Sequence, residues 1–154
     1  TWLNQVPTPS ADPVYVISVA VVFFPGRQMF TDIGFSLHDY NNATQFFGVY
    51  WGKTSEGKLY YFSDGLAGDV EIFSTFTYVD QLLYFEFYLH PQNTQFMDMF
   101  IYTENGSLIF SEMNIYVGTN VSTMDGIDFE IHPRDWMWAT PQGGVFAVYS
   151  VEFF

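Results

Sequence analysis

Along the chain apolar residues either run together or alternate with polar ones, and no stripe of period 3.6 persists over a helical length, which predicts an all-β protein. The longest apolar run, Val14 to Phe24, is 11 residues with Ser18 inside it. Such a run, apolar on both alternating faces, is either a central strand covered on both sides or a strand lent to another subunit. Pro25-Gly26 ends it. Further strands are predicted near 29–37, 45–51, 58–63, 69–78, 82–89, 96–103, 107–110, 113–118, 127–131 and 144–153. Leu83, Phe85, Phe87 and Leu89 form one apolar face against a mixed one of Leu82, Tyr84, Glu86 and Tyr88, as a two-layer sandwich requires. The last strand alternates likewise, with Val145, Ala147, Tyr149, Val151 and Phe153 on one face. Glu104-Asn105-Gly106-Ser107 predicts a hairpin with a type I′ turn, because Asn-Gly accepts positive φ angles. Residues 1–13, with Pro7, Pro9 and Pro13, carry no periodicity and read as an extended arm. The expected organisation is that arm followed by a single two-layer antiparallel β-sandwich, a jelly roll, over 14–154.

The length of 154 residues suits one domain. Cysteine is absent, which removes disulfides, thiolate metal sites and thiol catalysis. Four Lys+Arg against 17 Asp+Glu give a formal charge of −13, which repels nucleic acid and anionic lipid alike. No apolar run reaches the roughly 20 residues of a membrane helix. Aromatic residues make 21% of the chain and charged ones 14%, so disorder is excluded. Three sequons, at Asn42, Asn105 and Asn120, favour export to the extracellular side and a glycoprotein. Thr1 opens the chain, as in a mature secreted form or a trimmed chain.

The phrases TDIGFSLHDYNNATQFFGVYWG, LLYFEFYLHPQNTQFMDMFIYTENGSLIF and GVFAVYSVEFF, taken in order, resemble the concanavalin A-like, laminin G-like jelly roll over roughly residues 29–154. Lectins, hydrolases, peptidases and assembly modules share that superfold, so it assigns no activity. Gly126-Ile127-Asp128-Phe129-Glu130-Ile131 is similar to the acid-bearing strand of its retaining glycoside hydrolases, which carries carboxylates at i, i+2 and i+4. Here Gly126 stands at the nucleophile position. With only Asp128 and Glu130 left, and no carboxylate about 5 to 5.5 Å from the acid, the covalent step is missing. The chain therefore reads as a non-enzyme. The resemblance also implies calcium beside carbohydrate loops, for which Asp32, Asp39, Asn41, Asn42, Asp64, Asp69, Asp80, Asp125 and Asp135 offer hard oxygens. His38, His90 and His132 lack the spacing of a helical zinc site.

Two functions stand side by side. The first is a secreted structural subunit that self-assembles with copies of itself, donating its N-terminal strand through Val14, Val16, Ile17, Val19, Val21 and Val22. The low lysine content, Lys53 and Lys58 alone, leaves edge strands poorly guarded and agrees with it. The second is a carbohydrate-binding, lectin-like module in which Trp51, Trp136 or Trp138 stacks on a sugar face.

Overall fold

The computed structural model describes residues 15–24, 31–39, 42–52, 58–63, 68–73, 78, 80–90, 95–118, 124, 126–133 and 145–153, with backbone alone at several strand ends. Ten strands follow in order: β1 (Tyr15–Phe24), β2 (Thr31–Asp39), β3 (Asn42–Gly52), β4 (Lys58–Ser63), β5 (Val70–Phe73), β6 (Leu82–Leu89), β7 (Phe96–Thr103), β8 (Leu108–Tyr116), β9 (Gly126–Pro133) and β10 (Val145–Phe153). They form two five-stranded antiparallel sheets. The first has the order β10-β1-β6-β7-β8 and the second β5-β4-β3-β2-β9. The all-β sandwich expected from the sequence is what the chain adopts.

Alternation places one side chain in two between the sheets, and aromatic rings fill that space. Phe35 of β2 meets Phe85 and Phe87 of β6 edge-on, at 5.4 and 6.0 Å between centroids, and Phe47 of β3 meets Phe87 at 5.9 Å. Edge-to-face contacts suit the ring quadrupoles, and each fully buried side chain contributes roughly 1.5 to 3 kcal/mol. Polar links help tie the sheets together: Tyr61 donates its hydroxyl to Glu112 at 2.9 Å, and Ser63 donates to the carbonyl of Val117 at 2.9 Å. Burial beside that carboxylate pushes the Tyr61 phenol well above its ordinary range.

β1 settles the question its two apolar faces raised. It pairs with β10 on one side and with β6 on the other, Val19 standing opposite both Val151 and Phe85. Ile17, Val19 and Val21 have no exposed surface and point at the second sheet, while Val22 is buried and Val16 half-buried on the other face. The strand is thus central in the sheet of its own chain, with both edges paired. Val14 and the arm of 1–13 lie outside the described residues.

Three departures from the expected strands have local causes. The segments expected at 107–110 and 113–118 are one strand, β8, interrupted by a bulge: Met97 faces Ile115 while Met99 faces Glu112, and Asn114 there adopts φ 57°. The alternation of β10 breaks at Tyr149, because Ala20 pairs with Ser150 and the next residue, Val21, with Val148. Tyr149 is left over and 65% exposed. In the β7–β8 hairpin only Gly106 has positive φ, at 83°, and its N–H donates to the Thr103 carbonyl at 2.9 Å. This is a three-residue loop with a glycine bulge instead of a type I′ turn. Asn105 contributes its side-chain oxygen to the Ser107 N–H at 3.1 Å, which stabilises the tighter first turn.

The β8 bulge is held from β7. Asp98 has no exposed surface; one carboxylate oxygen accepts the Asn114 N–H at 2.8 Å and the other lies 3.0 Å from Nε2 of buried His90. Asp98→Ala would take the carboxylate from both, and removing one member of a buried pair costs about 3 to 5 kcal/mol. Urea unfolding should show that loss, with Asp98→Asn intermediate; equal midpoints for parent and Asp98→Ala would refute the role.

Candidate functional site

The outer face of the second sheet is where small, aromatic and polar side chains meet. Gly34 of β2 pairs with Tyr50 of β3, and Tyr50 pairs in turn with Tyr60 of β4. The two tyrosine rings lie 5.9 Å apart with a tilt of 31°. Glycine makes room for them: a Cβ on Gly48 would stand 2.3 Å from the Tyr50 ring, and one on Gly34 would stand 2.0 Å from the Val49 carbonyl oxygen and 2.8 Å from that ring. Neither glycine has positive φ, so the demand is for space and not for backbone freedom. Tyr50 and Tyr60 are buried although they face away from the core.

Polar groups flank this aromatic pair on both sides. On β2, Ser36 Oγ lies 2.5 Å from His38 Nε2, and Asp128 Oδ2 on β9 lies 3.4 Å from the same nitrogen. Gly126 is the direct partner of His38, and the missing side chain there lets the imidazole lean diagonally toward Asp128. On β4, Lys58 reaches Glu71 of β5 at 3.1 Å. Asp128 and Glu71 stay 53% and 42% exposed, so a ligand could reach both ends of the row. Catalysis of the serine-histidine-aspartate kind needs serine and carboxylate on opposite ring nitrogens. Here both approach Nε2, which suits hydrogen bonding and not proton relay.

The residues singled out in the sequence do not all come together. Trp51 has no exposed surface and points inward, its ring 6.4 Å from Phe23, so it cannot stack on a sugar. Trp136 and Trp138 lie outside the described residues. Asp128 is exposed while Ile127 and Phe129 pack on the core, as a half-buried edge strand requires; the side chain of Glu130 is not described. His38 and His90 belong to different sheets, and of His132 only the backbone is described. Among the proposed calcium ligands, Asn41, Asp64, Asp125 and Asp135 lie outside the described residues, and Asp32, Asp39 and Asn42 are described by backbone alone. Asp69 is half-buried, and Asp80, at φ 60°, lines a cleft of about 440 Å³ with Glu104 and Asn105. Among the described residues no three His, Asp or Glu side chains gather as metal ligands. Asn105 is exposed at its hairpin tip, and Asn120 lies outside the described residues.

Sequence reasoning missed Tyr50, Tyr60 and Ser36, and weighed His38 only as a metal ligand. A signal existed, because Gly34 and Gly48 lie inside strands rather than at their ends, and glycine inside a strand marks a close approach.

A second polar cluster lies on the outer face of the first sheet. Glu86 has no exposed surface; one oxygen accepts the Tyr88 hydroxyl at 2.9 Å and the other has no partner. Burial raises its carboxyl to about 7, against the opposing pull of the Tyr88 bond. Burial and the neighbouring Glu86 push the Tyr88 and Tyr102 phenols upward in turn.

No family model and no curated protein match the sequence. Among solved structures the chain is similar to sheep galectin-11 in complex with glycerol, with TM-score 0.52 and 9% identity over 97% of this chain and 99% of that one. It is also similar to a xylan β-1,4-xylosidase from Bacillus halodurans, with TM-score 0.50 and 7% identity over 90% of this chain but only 27% of that one. The chain thus has a galectin-like jelly-roll sandwich, in line with the resemblance read from its sequence.

Proposed function

We propose that this protein is a carbohydrate-binding, lectin-like module whose glycan seat is the outer face of the second sheet. The observation that carries the reading is the row of accessible polar side chains across this face, His38 and Asp128 at one end and Lys58 and Glu71 at the other, ordered around the buried Tyr50–Tyr60 pair. Sugar hydroxyls need planar donors and acceptors, and the imidazole, carboxylates and ammonium of this row offer both. From β9 to β5 it crosses four interstrand spacings, about 19 Å, which suits an oligosaccharide better than a single ring. The galectin-like fold supports the reading, and the paired exposed acids favour neutral over anionic glycans.

The chain acts in this reading by binding and not by catalysis, since β9 bears glycine where a nucleophile would stand. Self-assembly by donation of β1 is not favoured, because both edges of that strand are paired within the chain.

Binding of the intact chain to an array of neutral oligosaccharides tests the proposal. His38→Ala and Asp128→Ala, both at solvent-accessible positions, should each weaken retention by roughly ten-fold, the worth of one charge-assisted hydrogen bond, while circular dichroism stays unchanged. No retention by any glycan, or retention indifferent to both substitutions, would overturn it.

A further inference from the structure

We infer that the outer face of β1, β6 and β7 is a docking surface, and that its occupant is the chain's own N-terminal arm, residues 1–14, bound in cis. This rests on the first sheet alone and is independent of the glycan reading.

The face is too dry for the outside of a two-layer sandwich. Ser18 and Ala20 on β1 are 4% and 2% exposed, and Glu86 on β6 with Phe100 and Tyr102 on β7 are at 0%. These side chains point away from the second sheet, and the other described strands of the first sheet lie beside them, not above. Phe100, Tyr102 and Tyr88 form an apolar cluster of their own, with Val16 and Tyr84 packed against it. Flat neighbours shield one another's edges but cannot remove a whole face from water. A covering layer is needed.

Position, reach and chemistry select the arm. Tyr15 opens β1 opposite Leu89, so the arm joins the described strand at one end of this face. Fourteen extended residues reach about 46 Å at 3.3 Å each, and the eight residues of β6 span about 27 Å, so the arm can run the length of the face. It brings Trp2, Leu3, Val6 and three prolines, and Asp12 is its one charged side chain. An apolar, nearly uncharged segment suits a face whose carboxyl is buried, and the prolines reduce the entropy lost on docking.

The absence of cysteine allows a direct test on the full chain. Ala20→Cys places a thiol on the face, and Val148→Cys gives a reference at a 40% exposed position. In the parent arm background, maleimide should label Cys at position 20 roughly 100-fold more slowly than the reference, as local opening must precede reaction. Combining Ala20→Cys with Trp2→Ser, Leu3→Ser and Val6→Ser should speed its labelling by at least about ten-fold, leaving the reference unchanged. Rates should not depend on protein concentration, and the protein should elute as a monomer. Slow labelling that persists in the triple-serine chain would overturn the inference, since another segment would be the cover. Protection that grows with concentration would also overturn it, by making the arm of a second copy the occupant. If Ala20→Cys disturbs folding, a spin label at Leu3→Cys decides instead: it should broaden the Phe100 and Tyr102 resonances, and leaving them sharp would overturn the assignment.

Discussion

Glu86→Gln should abolish a component of stability that falls away as the pH is raised from 4.5 to 7. The buried carboxyl titrates near 7 in the folded protein against 4.5 for the free side chain, so folding favours its neutral form. That contribution is complete below pH 4.5, declines as the pH rises through 7, and is absent above it. The difference of 2.5 pH units corresponds to about 3 kcal/mol across the window. Glutamine keeps the shape and the polar partner for Tyr88 without a titrating proton. At pH 8 the variant should therefore be the more stable chain, by up to about 3 kcal/mol. Urea midpoints of parent and variant at several pH values isolate Glu86 from the other carboxylates, because only their difference is read. A difference that does not change with pH would show that folding leaves the Glu86 carboxyl where it is in the free side chain.

The second large effect concerns the glycine floor, where two similar substitutions should behave differently. Gly34→Ala drives a Cβ into a backbone carbonyl at 2.0 Å, and that oxygen cannot move without parting β2 from β3. A loss of at least about 3 kcal/mol is expected, at the upper end of overpacking costs. Gly48→Ala meets instead the far end of the Tyr50 ring. Its cost should largely vanish when Tyr50→Ala is present, whereas Gly34→Ala should stay costly in that background. Chemical denaturation of the two double variants checks both statements. Equal rescue at both positions would mean that ring crowding, and not backbone contact, explains Gly34.

These two sites mark where the sequence could be read and where it could not. Strand alternation in Leu83–Leu89 and the position of the hairpin at Asn105-Gly106 were legible, because period-2 patterning and turn chemistry are local, but the turn type was not, since the loop length that selects it depends on the pairing of β7 with β8. The bulges in β8 and β10 were not, since a single unpaired residue shifts the phase without changing composition. Trp51 was read as a candidate for sugar stacking because it sits near a strand end. Its neighbours Val49 and Phe47, two and four residues back, lie on the same inward face and show that alternation alone could have placed it inside. The site on the second sheet stayed hidden for another reason: Tyr50, Tyr60, His38 and Asp128 come from four strands, and only the pairing register brings them together.

The partners of β1 also govern the order in which the chain can fold. Ile17 pairs with Phe153, so one edge of a central strand waits for residues made more than 120 positions later. Such long-range closure is slow, and during synthesis the apolar run around Val19–Phe23 has β6 as its first lasting neighbour. A nascent chain stopped before β10 would present the unpaired edge of β1, a template for joining another chain. The strand that is sealed in the finished molecule is therefore the one most in need of chaperone cover while the molecule is being made.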